Sequence, residues 1–139
     1  MIPELLSKLN KLEEYTGLLK GYRKHTITEI SEDVTLRGAI ERYMQLAIET
    51  VLEIGEMIIS NKGFRKPETY KEIIQVLGNN NVIKKEFSRR FASVAGFRNI
   101  LVHRYDDIDM DELYSHLQKD VKDFDTFAKQ VSDYMRKGS

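Results

Sequence analysis

Arginine 98, histidine 103 and tyrosine 105 stand within eight residues, in the run Gly96-Phe97-Arg98-Asn99-Ile100-Leu101-Val102-His103-Arg104-Tyr105-Asp106. An arginine holds a permanent charge and presents a planar fork of donors that matches a phosphate. A histidine is the side chain whose unperturbed charge changes near neutral pH. Together they are a minimal set for holding or cutting a phosphodiester, with Asn99 as a further polar group beside Arg98.

These residues must be positioned by helices. Pro3 suits a first helical turn, and Leu5, Leu9, Leu12 and Leu19 then recur on one face. Gly17 and Gly21 weaken the end of that helix, and residues 24–32 read as a polar, β-branched connector. Asp33 caps a long second helix whose stripe runs through Leu36, Ile40, Met44, Ala47, Val51, Ile54 and Ile58, with Asn61, Lys62 and Gly63 as its end. Pro67 opens a third helix to about Leu77, stopped by Gly78 and a turn at Asn79–Asn81. The fourth carries Ile83, Phe87, Phe91, Val94 and Leu101. The fifth begins at Asp109, with Glu112 as a capping-box mate and Leu113, Leu117, Val121, Phe124, Ala128, Val131 and Met135 inward. No stretch alternates with period two and no hairpin turn signal is present. The expected fold is all-α: an antiparallel bundle of about five helices in one domain over residues 1–139.

On the fourth helix, a line through Phe87 at about 100° per residue passes Phe91 and Val94 and comes within about 20° of Arg98. A charged group on an apolar face needs an anion: a carboxylate of this chain, one of a partner chain, or a phosphate. The plain alternative is an ion pair with Glu49 or Glu53 of the second helix. His103 lies about 140° from Arg98 on an unbroken helix. For the two to cooperate, the helix must unwind near Val102, or each must work with a mate from a second copy across a two-fold axis. Equally plain readings exist for the others. A histidine at a helix end suits the negative pole of the dipole, and a tyrosine such as Tyr105 is commonly half-buried core.

Composition narrows the classes. The chain has 139 residues with 22 basic and 22 acidic, so bulk charge points to no nucleic acid and any such binding needs a local patch. Charge is nevertheless segregated. Lys84, Lys85, Arg89, Arg90, Arg98 and Arg104 stand against a single acid, Glu86, whereas residues 106–125 hold eight acids and two lysines. With no cysteine, thiolate zinc sites, thiol catalysis and disulfides are excluded. The acids Asp106, Asp107, Asp109, Asp111 and Glu112 read as helix N-terminal charge rather than a metal site, and neither His25 nor His116 sits in a ligand motif. No apolar run approaches the roughly 20 residues of a membrane span, and no signal-peptide core is present. The expectation is a cytoplasmic protein with no membrane role.

The string Arg98-x4-His103-x-Tyr105 resembles the Arg-x4-His-x-Tyr motif of HEPN-domain proteins. The flanking Gly96-Phe97-Arg98-Asn99 and Val102-His103-Arg104-Tyr105 are similar to its HepT-like branch. So is the long helix with Arg37 and Glu41 in an Arg-x3-Glu setting and Ala47, Ile48 and Glu49 in an Ala-Ile-Glu one. The resemblance implies a dimerising helical bundle with the motif in a cleft between subunits. It implies a toxin of a toxin–antitoxin pair that acts as a metal-independent endoribonuclease without a cofactor. It also implies an MntA-like nucleotidyltransferase antitoxin that silences the toxin by transferring AMP to Tyr105.

In that setting the RNA 2′-hydroxyl is the nucleophile. Arg98 and His103 are then the catalytic pair, His103 moving protons and Arg98 supplying charge, with Asn99 orienting the phosphate or His103. The competing class is a non-catalytic helical binding module, or a scaffold for the nucleotidyltransferase.

Overall fold

A computed structural model describes residues 2–104 and 107–138. Its elements are helices: α1 (Ile2–Tyr22), α2 (Ile27–Glu32), α3 (Val34–Lys62), α4 (Tyr70–Asn79), α5 (Lys85–Phe91), α6 (Val94–His103) and α7 (Met110–Arg136). Among the described residues there is no strand, as the missing period-two pattern leads one to expect.

The long helix α3 is the axis of the molecule, and α1, α4, α6 and α7 all pack against it. Its 29 residues extend about 43 Å. Asp33 caps it, with Oδ1 accepting from the Leu36 N–H at 3.0 Å. Gly63 closes it in the left-handed region at φ 69°, which a residue without a Cβ adopts freely. The expected stripe is inside: Ile40, Met44, Ala47, Val51, Ile54 and Ile58 are all buried, and Leu36 is partly so. Helix α1 contributes Leu5, Leu12 and Leu19, seven residues apart and therefore two turns apart on one face. Helix α7 adds Leu113, Leu117, Val121, Phe124 and Val131, together with Phe127, which the sequence reading passes over in favour of Ala128.

The connector expected at residues 24–32 is in fact partly helical. Thr26 Oγ1 accepts from the Glu29 N–H at 3.1 Å, and Glu29 Oε1 accepts from the Thr26 N–H at 2.8 Å. This reciprocal capping box satisfies two orphan donors and nucleates the single turn of α2, while Ile30 anchors it in the core.

The expected fourth helix is two helices. The chain turns at Ala92–Ser93, where the N–H groups of Ala95 and Gly96 bond three residues back to Ala92 and Ser93. The Ser93 hydroxyl donates to the Arg90 carbonyl at 3.2 Å, a local bond that competes with the helical ladder. Both halves remain buried along their apolar faces, Phe87 and Phe91 before the turn and Val94, Phe97 and Leu101 after it.

Helix α4 starts later than Pro67. Thr69 is its N-cap, with Oγ1 accepting from the Glu72 N–H at 3.1 Å, so Pro67 belongs to the preceding loop. Gly78 does not end the helix by a left-handed turn, since that conformation falls to Asn81, at φ 59°. Gly78 is instead a point of close approach: a Cβ there would lie 2.5 Å from Ser88 Cβ. Gly55 does the same for α3 against α4, where a Cβ would lie 2.5 Å from Ile73 Cγ2. Two missing methyl groups thus hold α4 tightly between α3 and α5.

Candidate functional site

Helix α6 carries the sequence motif, and three neighbours fix its position. Against α7, the Phe97 ring stacks on the His116 imidazole with centroids 3.9 Å apart and planes 11° apart. His116 is oriented in turn by Asp120, whose Oδ2 lies 2.7 Å from Nδ1. Asp120 is fully buried, and its other oxygen has no hydrogen-bond partner among the described residues. His116 is therefore a structural residue of the α6–α7 seam. Glu112 does not complete the expected capping box. Asp109 caps α7 by accepting from the Asp111 N–H at 2.8 Å and the Glu112 N–H at 3.4 Å, while the Glu112 carboxylate lies 4.0 Å from His116 Nε2. The last turn of α6 is held by Arg104, whose N–H donates to the Ile100 carbonyl at 2.9 Å.

Arg98 meets a carboxylate of its own chain, so of the three anions open to it the intramolecular one is present. Nη2 donates to Glu49 Oε2 of α3 at 3.2 Å, and Nη1 donates to Asn99 Oδ1 at 3.3 Å. The guanidinium carbon sits 4.7 Å from the centre of the Tyr70 ring at the start of α4. Three elements therefore define the plane of the fork. A lysine would keep the charge but match none of this geometry. Only 17 % of the Arg98 side chain is exposed, yet five N–H donors are present and the two named bonds use two of them.

Helix α6 stays regular to His103, so the unwinding near Val102 expected as one route to cooperation does not occur. Nor are Arg98 and His103 separated by their 140° offset. Asn99 and His103, four apart, stack on one exposed face, and the long Arg98 side chain turns toward them. All three line a single cleft of about 540 Å³, lined also by Glu56 of α3 and by Pro67, Glu68, Thr69, Tyr70 and Ile73. An adjoining hollow of about 250 Å³ is shared by Arg98, Tyr70, Glu49, Glu53 and Glu56. Tyr105 lies outside the described residues.

The cleft is not the basic site that the charge pattern of residues 84–104 leads one to expect. Arg98 is neutralised by Glu49, and Glu56 and Glu68 stand exposed at the walls. Arg90 is drawn away to α7, where it donates to Asp123 Oδ1 at 2.9 Å and lies over Phe87. The basic and acidic segments thus meet in part as a cross-helix ion pair. Of the other cations of the run, Lys85 and Arg89 face the other side of α4.

Tyr70 escapes a reading of the sequence, and Arg37, marked there only by the family resemblance, proves to be a positioning residue. Tyr70 stacks under Arg98, and nothing in its local pattern marks it, because the contact joins helices 28 residues apart. Arg37 donates from Nε to Glu41 at 2.9 Å and from Nη2 to the Ile108 carbonyl at 2.9 Å. It ties the start of α3 to the segment that follows the motif.

Comparison with known proteins places this geometry in context. The profile of the ribonuclease HepT-like family matches residues 6–131. Among individual relatives, a tRNA nuclease HepT of Aphanizomenon flos-aquae is 24 % identical over 129 residues, covering 93 % of this chain and 88 % of that protein. An mRNA nuclease HepT of Shewanella oneidensis is 25 % identical over 104 residues, covering 75 % and 78 %. In fold, the chain is similar to the tri-AMPylated HEPN toxin of Shewanella oneidensis in complex with its MNT antitoxin, with TM-score 0.83 and 20 % identity over 93 % of this chain and 96 % of that one. It is similar as well to the cytosolic protein YutE of Bacillus subtilis, with TM-score 0.82 and 23 % identity over 98 % and 91 %.

Proposed function

The chain belongs to the ribonuclease HepT-like family, and on that premise we propose that it is an endoribonuclease, the toxin of a toxin–antitoxin pair. The reaction is cleavage of an RNA strand by its own 2′-hydroxyl without a metal ion. The 2′-oxygen attacks phosphorus, its proton passes to a base, and the 5′-oxygen leaves with a proton from an acid. The products are a 2′,3′-cyclic phosphate and a free 5′-hydroxyl.

His103 is the proton-transfer group. Arg98 supplies the fixed charge at the crowded phosphate, and Asn99 orients it. In a two-fold dimer one His103 acts as base and its mate as acid. The observation that carries this reading is that Arg98, Asn99 and His103 line one open cleft. Glu49 and Tyr70 are positioning residues: they hold the fork in a fixed plane and leave donors free for the substrate.

His103→Ala removes the acid–base contribution, worth about 10²–10⁴-fold in rate, and its exposed position predicts an unchanged fold. Cleavage of a labelled RNA in EDTA, with mass analysis of the new 3′ end, is the assay. Undiminished cleavage by His103→Ala rules the mechanism out.

For regulation, the partner in this reading is an MntA-like nucleotidyltransferase antitoxin that adds AMP to Tyr105. The support is the family motif and the relative that is AMPylated in complex with an MNT antitoxin. Each AMP adds negative charge and bulk beside the motif, which repels an incoming phosphate by the rules that govern phosphorylation. Co-expression with the antitoxin followed by peptide mass spectrometry tests it. An unmodified Tyr105 in a fully silenced complex refutes it.

A second reading rests on the Glu49–Arg98 pair and the acidic walls: a non-catalytic helical module that scaffolds the nucleotidyltransferase. The metal-free cleavage assay separates the two.

A further inference from the structure

The motif cleft presents an electrostatic problem to any polyanion. Its one arginine is paired, and its walls add Glu56 and Glu68. Charge that attracts a phosphate chain must therefore lie elsewhere. The opposite side of α4 supplies it. There α4 and α5 form the two walls of a groove of about 390 Å³, lined by Lys71, Gln75 and Asn79 on one side and Lys85 and Arg89 on the other.

The walls follow from helical spacing. Residues 71, 75 and 79 are four apart, as are 85 and 89, so each set forms one row. The floor is narrow because Gly78 admits Ser88, whose hydroxyl donates to the Lys85 carbonyl at 2.7 Å. Lys71, Lys85 and Arg89 are exposed, and none has an ion-pair or hydrogen-bond partner for its side chain among the described residues. The groove's fourth cation, Arg65, is held by Glu72 at 2.9 Å.

We propose that this α4–α5 groove is a second anion-binding surface, one that holds the sugar–phosphate backbone of single-stranded RNA while the motif cleft holds the scissile bond. The proposal rests on the endoribonuclease reading above. Three observations favour nucleic acid over a protein partner. The groove has three unneutralised cations flanked by amide donors, the group set that contacts phosphate and sugar oxygens. It lacks the large apolar or aromatic anchor on which protein interfaces depend. It is also adjacent to the cleft through a single helix: Tyr70 faces the cleft and the next residue, Lys71, faces the groove. With no ring to stack a base, the surface is indifferent to sequence and contributes affinity rather than choice of site.

The test is fluorescence anisotropy of a labelled single-stranded RNA 20-mer, 2′-O-methylated throughout, titrated at several KCl concentrations. Without a 2′-hydroxyl the probe cannot be cut, so binding is read apart from catalysis. The triple variant Lys71→Gln/Lys85→Gln/Arg89→Gln should lower the slope of log K against log[salt] by about 2, at about 0.7 per lost single-strand contact. Affinity at physiological salt should fall about tenfold or more. The charge-keeping Lys71→Arg/Lys85→Arg/Arg89→Lys variant should retain both, and thermal melts should show both variants folded.

An unchanged slope and affinity in the triple glutamine variant overturns the proposal. So does the outcome in which RNA binding persists and only co-purification with a nucleotidyltransferase is lost, because the groove is then a protein interface. The two readings fail separately. Wild type that cleaves RNA with an unaltered slope in the variant refutes the groove alone. Wild type that binds through the groove and never cleaves refutes the nuclease reading alone.

Discussion

Gly78→Ala is a sensitive probe of how the site is built, because local and tertiary physics oppose each other there. In an isolated helix, alanine is better than glycine by about 1 kcal/mol, and Gly78 sits within α4. Judged locally, the substitution should stabilise. In the folded chain the added methyl would lie 2.2 Å from Ser88 Oγ and 2.5 Å from Ser88 Cβ. The hydroxyl can rotate away, but Cβ is fixed to the α5 backbone, so the two helices must separate. Overpacking of this kind costs about 1–3 kcal/mol, and its upper end applies where a main-chain shift is required. The net expectation is a loss of about 1–2 kcal/mol, or about 3–7 °C in Tm for a chain of this size. Ser88→Ala keeps the obstructing Cβ and should give no relief, whereas Ser88→Gly removes it. The nearest remaining atom to the methyl of Gly78→Ala is then Lys85 Cα, at 3.9 Å. Urea or thermal unfolding of the two single variants and the Gly78→Ala/Ser88→Gly double should therefore show a favourable coupling of about 1–3 kcal/mol. A Gly78→Ala protein as stable as the parent, or more so, refutes the close-approach argument and removes the basis for the narrow α4–α5 groove.

Other expectations follow from the same contacts. Arg98→Lys cannot reach Glu49 and Asn99 while lying over Tyr70, so RNA cleavage should fall about 10²–10³-fold with little change in Tm; wild-type turnover in this variant would show that charge alone suffices. Phe97→Ala removes the stack on His116 and leaves a cavity between α6 and α7, with a loss of about 3–5 kcal/mol in chemical denaturation. Acid should loosen α2. The Thr26 backbone N–H, then its hydroxyl, hold the Glu29 carboxyl below its ordinary 4.5. A depressed carboxylate contributes stability that is complete above the unfolded pKa and is lost as pH falls through the folded one, so the contribution begins to fall at about pH 4.5 and is gone only below the lowered folded pKa. Amide exchange at residues 27–32 should rise there in the parent and show less pH dependence in Glu29→Gln, and identical profiles in the two proteins would exclude the capping box as the cause.

Much of the architecture is legible from local pattern, because the forces that set it are local. The α3 stripe from Ile40 to Ile58, its Asp33 cap and its Gly63 end are all properties of spacing and backbone preference, and each is where the sequence puts it. The capping box at Thr26 and Glu29 is equally local and is present in the sequence as Thr-x-x-Glu. It goes unread because a six-residue helix has no apolar period to draw attention to it. The break at Ser93 is harder, since either a continued helix or a turn satisfies the same buried phenylalanines.

By itself the sequence determines the helical character of the chain and the chemistry-bearing string from Arg98 to Tyr105, since residue type and spacing carry that information directly. Tertiary structure alone decides what that string faces. Glu49, Tyr70 and Arg98 come from three helices, and no periodicity within one helix encodes which residue of another will lie 3.2 Å away. The same holds for where free positive charge collects. Arg90 and Arg98 are neutralised by carboxylates of other helices while Lys85 and Arg89 have no such partner among the described residues, and that partition is set by which helix packs against which.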